Sequence, residues 1–372
     1  MTEDLAAAFA GRSVFVTGHT GFKGSWLSLW LADMGARVTG YALSPETEPS
    51  LFEVADVVRD LERHVVGDIR DRESVADALQ QAAPDVVLHL AARTVVREGY
   101  MRPAETFAVN VDGTTALLDA VRTLDRDCAV VVVTSDKCYA NDESGRPFIE
   151  DDRLGGRDPY SASKAAQEMV AQSYRCSFFD RTARDEGGPV RRLATGRAGN
   201  VIGGGDWTAD GLVADLARAR ARREPTVLRH PSAVRPWQHV LEPLSGYLTL
   251  AAHLAGPAGD DVGSAYNFGP DPADDATVGQ LVDSLLSAWD PESPREGRWR
   301  GEVSTGHAPE AGVLRLGIGR AATDLCWRPR WRLDEAVART ARWYRAYESD
   351  PDSARAGCLV DIRAYGRERG DP

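Results

Sequence analysis

The feature that most constrains the fold is a glycine-rich segment, Gly18–Gly24, between an apolar β-branched run and an apolar helical pattern. Ser13–Thr17 precedes it and Ser25–Leu31 follows it. This order predicts a strand, a tight turn and a helix, the usual beginning of a parallel α/β sheet. Backbone N–H groups at such a helix N-terminus can receive a pyrophosphate. A glycine turn without a ligand is the alternative for this motif alone.

Four further apolar runs follow, separated by stretches with helical patterning: Ala36–Tyr41, His64–Val66, Asp85–Leu90 and Ala129–Ser135. Strands that alternate with helices predict an α/β protein with a Rossmann-type doubly wound parallel sheet, covered by helices on both faces. We expect this fold over residues 1–190, with a returning segment at about 236–262. Residues 191–235 and 263–345 then form a smaller C-terminal substrate-binding α/β domain, and 346–372 a tail.

A second motif, YSASK, places Tyr160 and Lys164 four residues apart. Such residues share one face of a helix, so both side chains can point into one pocket. Asp158 and Pro159 before them are typical of a helix start. Because a lysine charge favours a nearby phenolate, we expect a lowered pKa for Tyr160 and proton exchange with a hydroxyl group. A solvated Tyr and Lys on a helix face is the alternative.

A hydroxyl group is expected beside this pair. Ser135 lies at the end of the apolar run Ala129–Val133, with Asp136 next to it. Ligands bind at the carboxyl ends of the strands in doubly wound sheets. We therefore expect Ser135, Tyr160 and Lys164 to form one polar site.

The glycine motif and these three residues resemble the extended short-chain dehydrogenase/reductase superfamily, with Ser135, Tyr160 and Lys164 at the positions of its catalytic triad. Within the superfamily the chain is most similar to the CDP-glucose 4,6-dehydratases. The similar segments extend over nearly the whole chain and include GHTGFKGSW at 18–26, TSDKCY at 134–139, RAGNVIGGGDW at 197–207 and RPWQHV at 235–240.

The resemblance implies bound NAD, a nucleotide-sugar substrate and an internal oxidation and reduction. Tyr160 would act as base while C4 of the sugar is oxidised, and Ser135 would bond the C4 oxygen. Water would then leave across C5 and C6, with Asp136 protonating the leaving 6-hydroxyl, and hydride would return to C6. Lys137 stands where dTDP-glucose dehydratases have a Glu base; a salt bridge with Asp136 or Glu168 is its alternative.

The resemblance also implies two sets of ligand contacts. For the cofactor these are Gly18, Thr20, Gly21, Phe22, Lys23, Gly24, Asp68, Ile69, Leu90, Ala91, Ala92, Tyr160, Lys164 and Arg197. For the nucleotide sugar they are Arg93, Asn200, Trp207, Leu212, Arg235 and His239. Two have simple structural alternatives: Asp68 as a helix cap and His239 as a strand-end histidine.

Three points leave the ligands and the reaction open. The second strand ends in Tyr41-Ala42-Leu43, without the acid that is typical of NAD sites. Lys23 would suit the 2′-phosphate of NADP. The resemblance nevertheless favours NAD as the cofactor. Arg93 replaces the glutamine that the CDP-glucose enzymes usually have, so a related NDP-hexose is an alternative substrate. A nucleotide-sugar 4-epimerase and a non-catalytic NAD(P)-binding regulator are the alternative functions.

Composition favours a soluble cytoplasmic enzyme over a nucleic-acid or membrane binder. The net charge of −12 would repel polyanions. No apolar run approaches the roughly 20 residues that span a bilayer, and the acidic start differs from a secretory leader. The five cysteines include no CxxC pair, so neither a disulfide framework nor a metal site is expected.

Superfamily members commonly dimerise through two helices per subunit, here the one at 109–124 and the one beginning at Tyr160. In the first, an apolar stripe is predicted from the spacing of Val111, Leu117, Leu118 and Val121. The stripe would pair two copies in a homodimer. Packing of the stripe on the subunit's own sheet is the alternative.

Overall fold

The centre of the chain is a seven-stranded parallel β-sheet. The computed structural model describes residues 2–179, 188–291, 298–302 and 312–367. The sheet strands are β1 Ser13–Thr17, β2 Arg37–Ala42, β3 Arg63–Val66, β4 Val86–His89, β5 Cys128–Val133, β6 Arg191–Ala198 and β11 Ala265–Phe268. They are ordered β11-β6-β5-β4-β1-β2-β3, and the chain changes its direction of travel across the sheet between β1 and β4. Ligands bind at such a switch point.

Helices cover both faces of the sheet. One face carries α2 Phe22–Asp33, α10 Leu241–Ala255 and α14 Ala354–Arg367, and the other carries α4 Arg72–Ala82, α7 Gly113–Arg122 and α8 Pro159–Phe178. Successive strand side chains point to opposite faces, so Val14 and Val16 join one core and Phe15 joins the other. With both faces covered, every residue of β1 is buried. The predicted Rossmann-type doubly wound fold is confirmed.

The remaining elements flank the sheet or continue the chain beyond its carboxyl edge. The helices are α1 Thr2–Phe9, α3 Leu51–Val54, α5 Val96–Met101, α6 Pro103–Phe107, α9 Leu212–Arg222, α11 Val278–Trp289, α12 Gly319–Asp324 and α13 Leu333–Ser349, and a π-helical segment, Ala108–Asp112, joins α6 to α7. Three two-stranded pairs combine β7 Val201–Ile202 with β10 Gln238–His239, β8 Thr226–Leu228 with β13 Trp299–Gly301, and β9 Val234–Arg235 with β12 Ala276–Thr277.

The structure corrects two of the predicted domain boundaries. Strands β6 and β11 complete the central sheet, although the sequence analysis assigns them to the substrate-binding domain. The arginines and the threonine of β6 interrupt its apolar pattern and hide it as a core strand. The predicted tail is wrong over Ala354–Arg367, because helix α14 packs on α2 and α13 and buries Cys358, Ile362 and Tyr365.

The membrane and cysteine expectations can be compared with the described residues. Across the described ranges, no helix is both long enough and apolar enough to cross a membrane. All five cysteines are free thiols, and Cys128, Cys138 and Cys358 among them are buried.

The apolar stripe of α7 faces the subunit's own sheet. Leu117, Leu118 and Val121 are fully buried within the single chain, in the core formed with strands β4 and β5. Val111 lies in the preceding π-helical segment and is only partly buried. The prediction that these side chains pair two copies is wrong for the three buried residues, since their apolar surface is already covered.

Replacement of Leu117 by alanine tests this packing. We expect the free energy of unfolding to fall by about 2–5 kcal/mol, because a buried leucine leaves a cavity. The loss should be equal at two protein concentrations in denaturant titrations, since the contact lies within one chain. Val360→Ala, at an exposed site, should change stability by less than about 0.5 kcal/mol. A loss for Leu117→Ala that varies with protein concentration would contradict the assignment.

Candidate active site

A cavity of about 560 Å³ opens at the carboxyl ends of β1, β4 and β5. The predicted site residues that line it are Gly18, Thr20, Gly21, Phe22, Lys23, Gly24, Asp68, Ile69, Leu90, Ala91, Ala92, Arg93, Ser135, Asp136, Lys137, Tyr160, Lys164, Asn200, Trp207, Leu212 and Arg235. These residues come from distant parts of the chain. The parallel sheet brings them together because its strand ends meet at one edge.

The glycine turn has room for a phosphate only because it lacks side chains. Gly18 has φ +74°, and a Cβ there would lie 2.7 Å from the backbone nitrogen of Ala91. A Cβ on Gly24 would lie 2.1 Å from the carbonyl oxygen of Gly18. Gly21 is the N-cap of α2 and supplies no capping side chain, so the first N–H groups of the helix are open to an anion. These residues fit the pyrophosphate of a dinucleotide.

The ends of the neighbouring strands continue this cradle. The hydroxyl oxygen of Thr17 accepts hydrogen bonds from the backbone N–H groups of Leu90 and Ala91, both at 3.2 Å. After β3, the Asp68 carboxylate caps the backbone of Arg70 and pairs with its guanidinium. Asp68 and Ile69 thereby lie on the cavity wall on the β2–β3 side of the turn.

Ser135 and Asp136 begin a short 3₁₀ turn, Asp136–Cys138, after β5. The Ser135 oxygen accepts the backbone N–H of Lys137 at 3.2 Å, and its hydroxyl donates to Oδ1 of Asp136 at 3.0 Å. The second carboxylate oxygen of Asp136, Oδ2, is buried and has no hydrogen-bond partner in the described residues. A buried acceptor without a partner is costly, so this oxygen is suited to a ligand hydroxyl.

Helix α8 presents Tyr160 and Lys164 to the same cavity. Asp158 caps the helix by accepting the N–H of Ser161 at 2.9 Å, and Pro159 occupies the first turn. Tyr160 and Lys164 lie one turn apart and are buried. The Tyr160 hydroxyl is hydrogen-bonded to Ser135. The structure therefore brings together the three residues that the sequence analysis places in one site.

The charge states of this pair differ from the expectation. Burial raises the pKa of Tyr160, although its hydrogen bond to Ser135 acts in the opposite direction. Burial and the charge of Lys23 together lower the pKa of Lys164 to about 7. The prediction of a lowered Tyr160 pKa is wrong for this structure, because desolvation of the phenolate dominates.

All three lysines of the chain line this cavity: Lys23, Lys137 and Lys164. The other 41 of the 44 Lys and Arg residues are arginines. Arginine stays charged in proteins, whereas burial readily shifts the charge of lysine. Desolvation lowers the pKa of Lys23 to about 8, against the attraction of Asp136 and Asp206. The placement of all lysines in one cavity is a signal that the sequence contained and the motif analysis did not use.

The salt-bridge alternative for Lys137 is not formed. No ion pair of Lys137 occurs within the described ranges, and Glu168 is held by Arg197 at 2.8 Å. The Lys137 amine is therefore available on the cavity wall.

Two predicted contact residues lie outside the cavity. Arg197 points from β6 toward α8, where it donates two hydrogen bonds to Glu168 and one to the Tyr139 hydroxyl. His239 is fully buried and packs edge-on against Trp26 and Trp331. Their assignment to ligand binding is corrected, because both side chains are taken up by the protein core.

The residues expected to bind the nucleotide sugar have varied environments. Trp207 is largely buried against Trp343, Tyr344 and Tyr347, which fixes its ring. Arg93 is held by Glu46 at 2.6 Å and by Glu105 at 2.7 Å. Its guanidinium charge is thereby balanced before any ligand binds.

Three buried polar residues behind Lys164 were missed by the sequence analysis: Gln167, Thr114 and His89. They connect the amine of Lys164 to Thr17 through hydrogen bonds. Helical spacing could have indicated Gln167, since it follows Lys164 by three residues. The other two belong to distant elements and carry no local signal.

The fold and this cavity are typical of an enzyme that binds NAD, and Ser135, Tyr160 and Lys164 lie together on the cavity wall. No cluster of His, Cys, Asp or Glu that could hold a metal ion is found in the described segments. Residues 14–269 match the NAD dependent epimerase/dehydratase family, and the chain belongs to that family.

Comparison with individual proteins gives the same class. The chain is 44% identical over 337 residues to a CDP-glucose 4,6-dehydratase of Salmonella typhimurium, a match that covers 91% of each chain. It is 28% identical to a dTDP-glucose 4,6-dehydratase of Xanthomonas campestris, over 88% of this chain and 92% of that one. A double mutant of a Streptomyces venezuelae dTDP-glucose 4,6-dehydratase, solved with NAD bound, superposes with a TM-score of 0.74 at 25% identity, over 90% of this chain and 98% of that one. The predicted superfamily and an NAD-dependent enzyme are confirmed.

Gly18→Ala tests the dinucleotide cradle, with Gly11→Ala as a matched control. Both glycines have φ near +70°, but a Cβ on Gly11 would meet no atom within 4 Å. Gly11→Ala should cost about 1–2 kcal/mol of folding stability for the left-handed backbone, and Gly18→Ala should cost more, because its Cβ would also collide with the backbone of Ala91. Only Gly18→Ala should also weaken NAD binding, by about tenfold or more in calorimetry. Equal NAD affinities for the two variants would contradict the proposed cradle.

Proposed function

We propose that this protein is a nucleotide-sugar 4,6-dehydratase that converts CDP-glucose, or a related NDP-hexose, to the 4-keto-6-deoxy sugar. The proposal is carried by the unpartnered Asp136 carboxylate oxygen beside Ser135, in a cavity that also contains Tyr160 and Lys164. The 44% identity to a CDP-glucose 4,6-dehydratase supports the nucleotide. A carboxyl group beside the triad is what loss of water needs in addition to oxidation and reduction.

The first step belongs to Tyr160 and Ser135. Tyr160, in its phenolate form, removes the proton of the sugar 4-hydroxyl, and Ser135 bonds the same oxygen. Lys164 supplies the positive charge that favours the phenolate. NAD, held by the glycine turn and by Asp68 and Ile69, supplies the reversible hydride acceptor when bound.

Loss of water requires an acid and a base on the sugar. The ketone at C4 acidifies the C5 proton, and we assign its removal to the Lys137 amine on the cavity wall. Asp136 protonates the 6-hydroxyl as it leaves. Both residues follow Ser135 in the short 3₁₀ turn and line the cavity, where we propose that they act on neighbouring carbons of one hexose.

Incubation of the purified protein with CDP-glucose, UDP-glucose and dTDP-glucose tests the function. We expect loss of one water from CDP-glucose, detected by mass spectrometry. Isomerisation at C4 without water loss would identify an epimerase, a class that remains the alternative. Binding of NAD without turnover of any sugar would identify a regulator, and either outcome would overturn the proposal.

We also propose that the protein is a cytoplasmic homodimer in which each chain contains a complete active site. Phe107 before α7, and Met169 and Phe178 on α8, expose large apolar side chains that a second copy would cover. The free thiols agree with a reducing compartment. Light scattering at micromolar concentration should give the dimer mass. A monomer with full turnover would contradict this assembly.

Tyr160→Phe removes the proposed base while it keeps the ring. We expect the initial oxidation to slow by about a hundredfold or more. Stopped-flow absorbance of the reduced cofactor would measure this step, and calorimetry should show unchanged NAD affinity. Formation of reduced cofactor at the wild-type rate would remove Tyr160 from the mechanism.

Asp136→Asn separates oxidation from loss of water. The variant should still oxidise C4, because Tyr160 and Ser135 are intact, and it should stall before the 6-hydroxyl leaves. Product analysis by mass spectrometry measures the water loss, which we expect to fall by about a hundredfold or more. Asp142→Asn, in the exposed loop that follows, is the control and should have normal turnover. Undiminished water loss in Asp136→Asn would exclude the proposed acid.

A further inference from the structure

Among the described residues, the Lys164 amine has two hydrogen-bond partners. It donates to the carbonyl oxygen of Val133 at 3.2 Å and to Oε1 of Gln167 at 2.8 Å. Gln167 is fully buried and lies three residues further along α8. Its amide nitrogen donates to the Thr114 hydroxyl oxygen at 2.7 Å. Gln167 is therefore a neutral link between Lys164 and the residues behind it.

The positions of the hydrogens in this link follow from counting donors. The Thr114 oxygen lies 2.7 Å from the carbonyl oxygen of Asn110, and only Thr114 can supply the hydrogen between them. Thr114 therefore accepts from its other two neighbours, the Gln167 amide and Nε2 of His89 at 2.9 Å. Burial and the Lys164 charge lower the pKa of His89 to about 3, so its ring is neutral. Its proton lies on Nε2.

The chain of hydrogen bonds then ends at the backbone. Nδ1 of His89 must accept, so the Thr17 hydroxyl donates to it at 2.7 Å. The two lone pairs of that hydroxyl take the N–H groups of Leu90 and Ala91. Each hydrogen bond of this chain therefore pairs a donor with an acceptor, and the Leu90 N–H is shared between the hydroxyl and the carbonyl oxygen of Thr17. In a flipped Gln167 amide, the NH₂ donor would face the Lys164 amine, which is also a donor. The amide oxygen would then face the Thr114 oxygen, whose hydrogen is already donated to Asn110.

We propose that Gln167 is a positioning residue for Lys164, and that its amide oxygen, fixed by Thr114, His89 and Thr17, keeps the Lys164 amine charged and in place beside Tyr160. This inference rests on the proposed acid–base role of Tyr160 and Lys164. It adds a residue that contacts neither the sugar nor the reacting atoms.

The other charged groups near Lys164 do not replace this contact. Lys23, from the glycine turn, opposes the charge on Lys164. Glu168 on α8 favours that charge, and Cys138 after β5 would favour it as a thiolate. The Glu168 carboxylate is already shared among Arg197, Thr134 and Thr195. Cys138 stays a neutral thiol, because burial raises its pKa. Of the two acceptors in direct contact with the amine, the Gln167 oxygen is the closer and the one that a side-chain substitution can change.

Lysine titration tests the inference directly, since the chain has only three lysines. Protein with isotope-labelled lysine Cε should give three signals, assigned by Lys→Arg variants and followed against pH by NMR, with and without NAD. In Gln167→Met the Lys164 signal should titrate at lower pH than in the wild type. In Gln167→Glu it should titrate at higher pH. Gln172→Met, at an exposed position of the same helix, should leave it unchanged.

Thr114→Val provides a second variant that leaves Gln167 intact. It removes the hydroxyl that orients the amide, so the Lys164 signal should again move to lower pH, by less than in Gln167→Met. The Lys137 signal should stay constant in all variants. This readout needs no substrate, so failure of the proposed reaction would leave it interpretable.

Turnover gives the functional half of the test. At neutral pH, kcat of Gln167→Met should fall by about tenfold, the factor for about 1.4 kcal/mol, and its pH profile should shift with the Lys164 titration. A changed KM or a lower thermal stability of the variant would reveal general damage to the binding site or to the fold. A Lys164 titration at the wild-type pH in folded Gln167→Met, Gln167→Glu and Thr114→Val would overturn the inference. So would a shift in the same direction for Gln167→Met and Gln167→Glu.

Discussion

The close approach of two backbones, at the turn after β1 and at the end of β4, determines the geometry of the site. Gly18 can pass beside Ala91 because it has no side chain, and Thr17 fastens the two strand ends by accepting the N–H groups of Leu90 and Ala91. From this contact α2 begins with free N–H groups directed at the cavity. The same threonine continues through His89 and Thr114 toward Lys164. One junction thus supports both the dinucleotide cradle and the acid–base group.

Much of this could be predicted from the sequence because the signals are local. The five runs predicted as strands all became strands. Four of them are buried and largely apolar, as a parallel strand covered on both faces must be, whereas β3 is the exposed edge strand. Asp158 and Pro159 set the start of α8, and the spacing of Tyr160 and Lys164 then placed both on one face. Strand β6 was misplaced because Arg191, Arg192 and Arg197 break its apolar pattern; the last of these is buried only because Glu168 neutralises it.

The missing parts depend on contacts between distant residues and on desolvation. No pattern in the sequence places His89 against Thr114. The tautomer of His89 is set by Thr114, because the Thr114 hydroxyl donates its hydrogen to Asn110 and must accept one from Nε2 of His89. The direction of the Tyr160 pKa shift also follows from burial, which a motif does not reveal. The sequence identified which groups lie in the site. The structure was needed to assign the charge that each one carries.

The distribution of lysine has a practical consequence for covalent chemistry. Apart from the α-amino group at the chain start, every primary amine of this protein lies on the wall of one cavity. Outside the cavity, the arginine-rich surface offers acylating reagents no lysine amine. A mild amine-selective acylating agent would therefore act as an affinity-like label of the active site, and amine coupling to a solid support would attach this protein through its chain start or through its reaction centre.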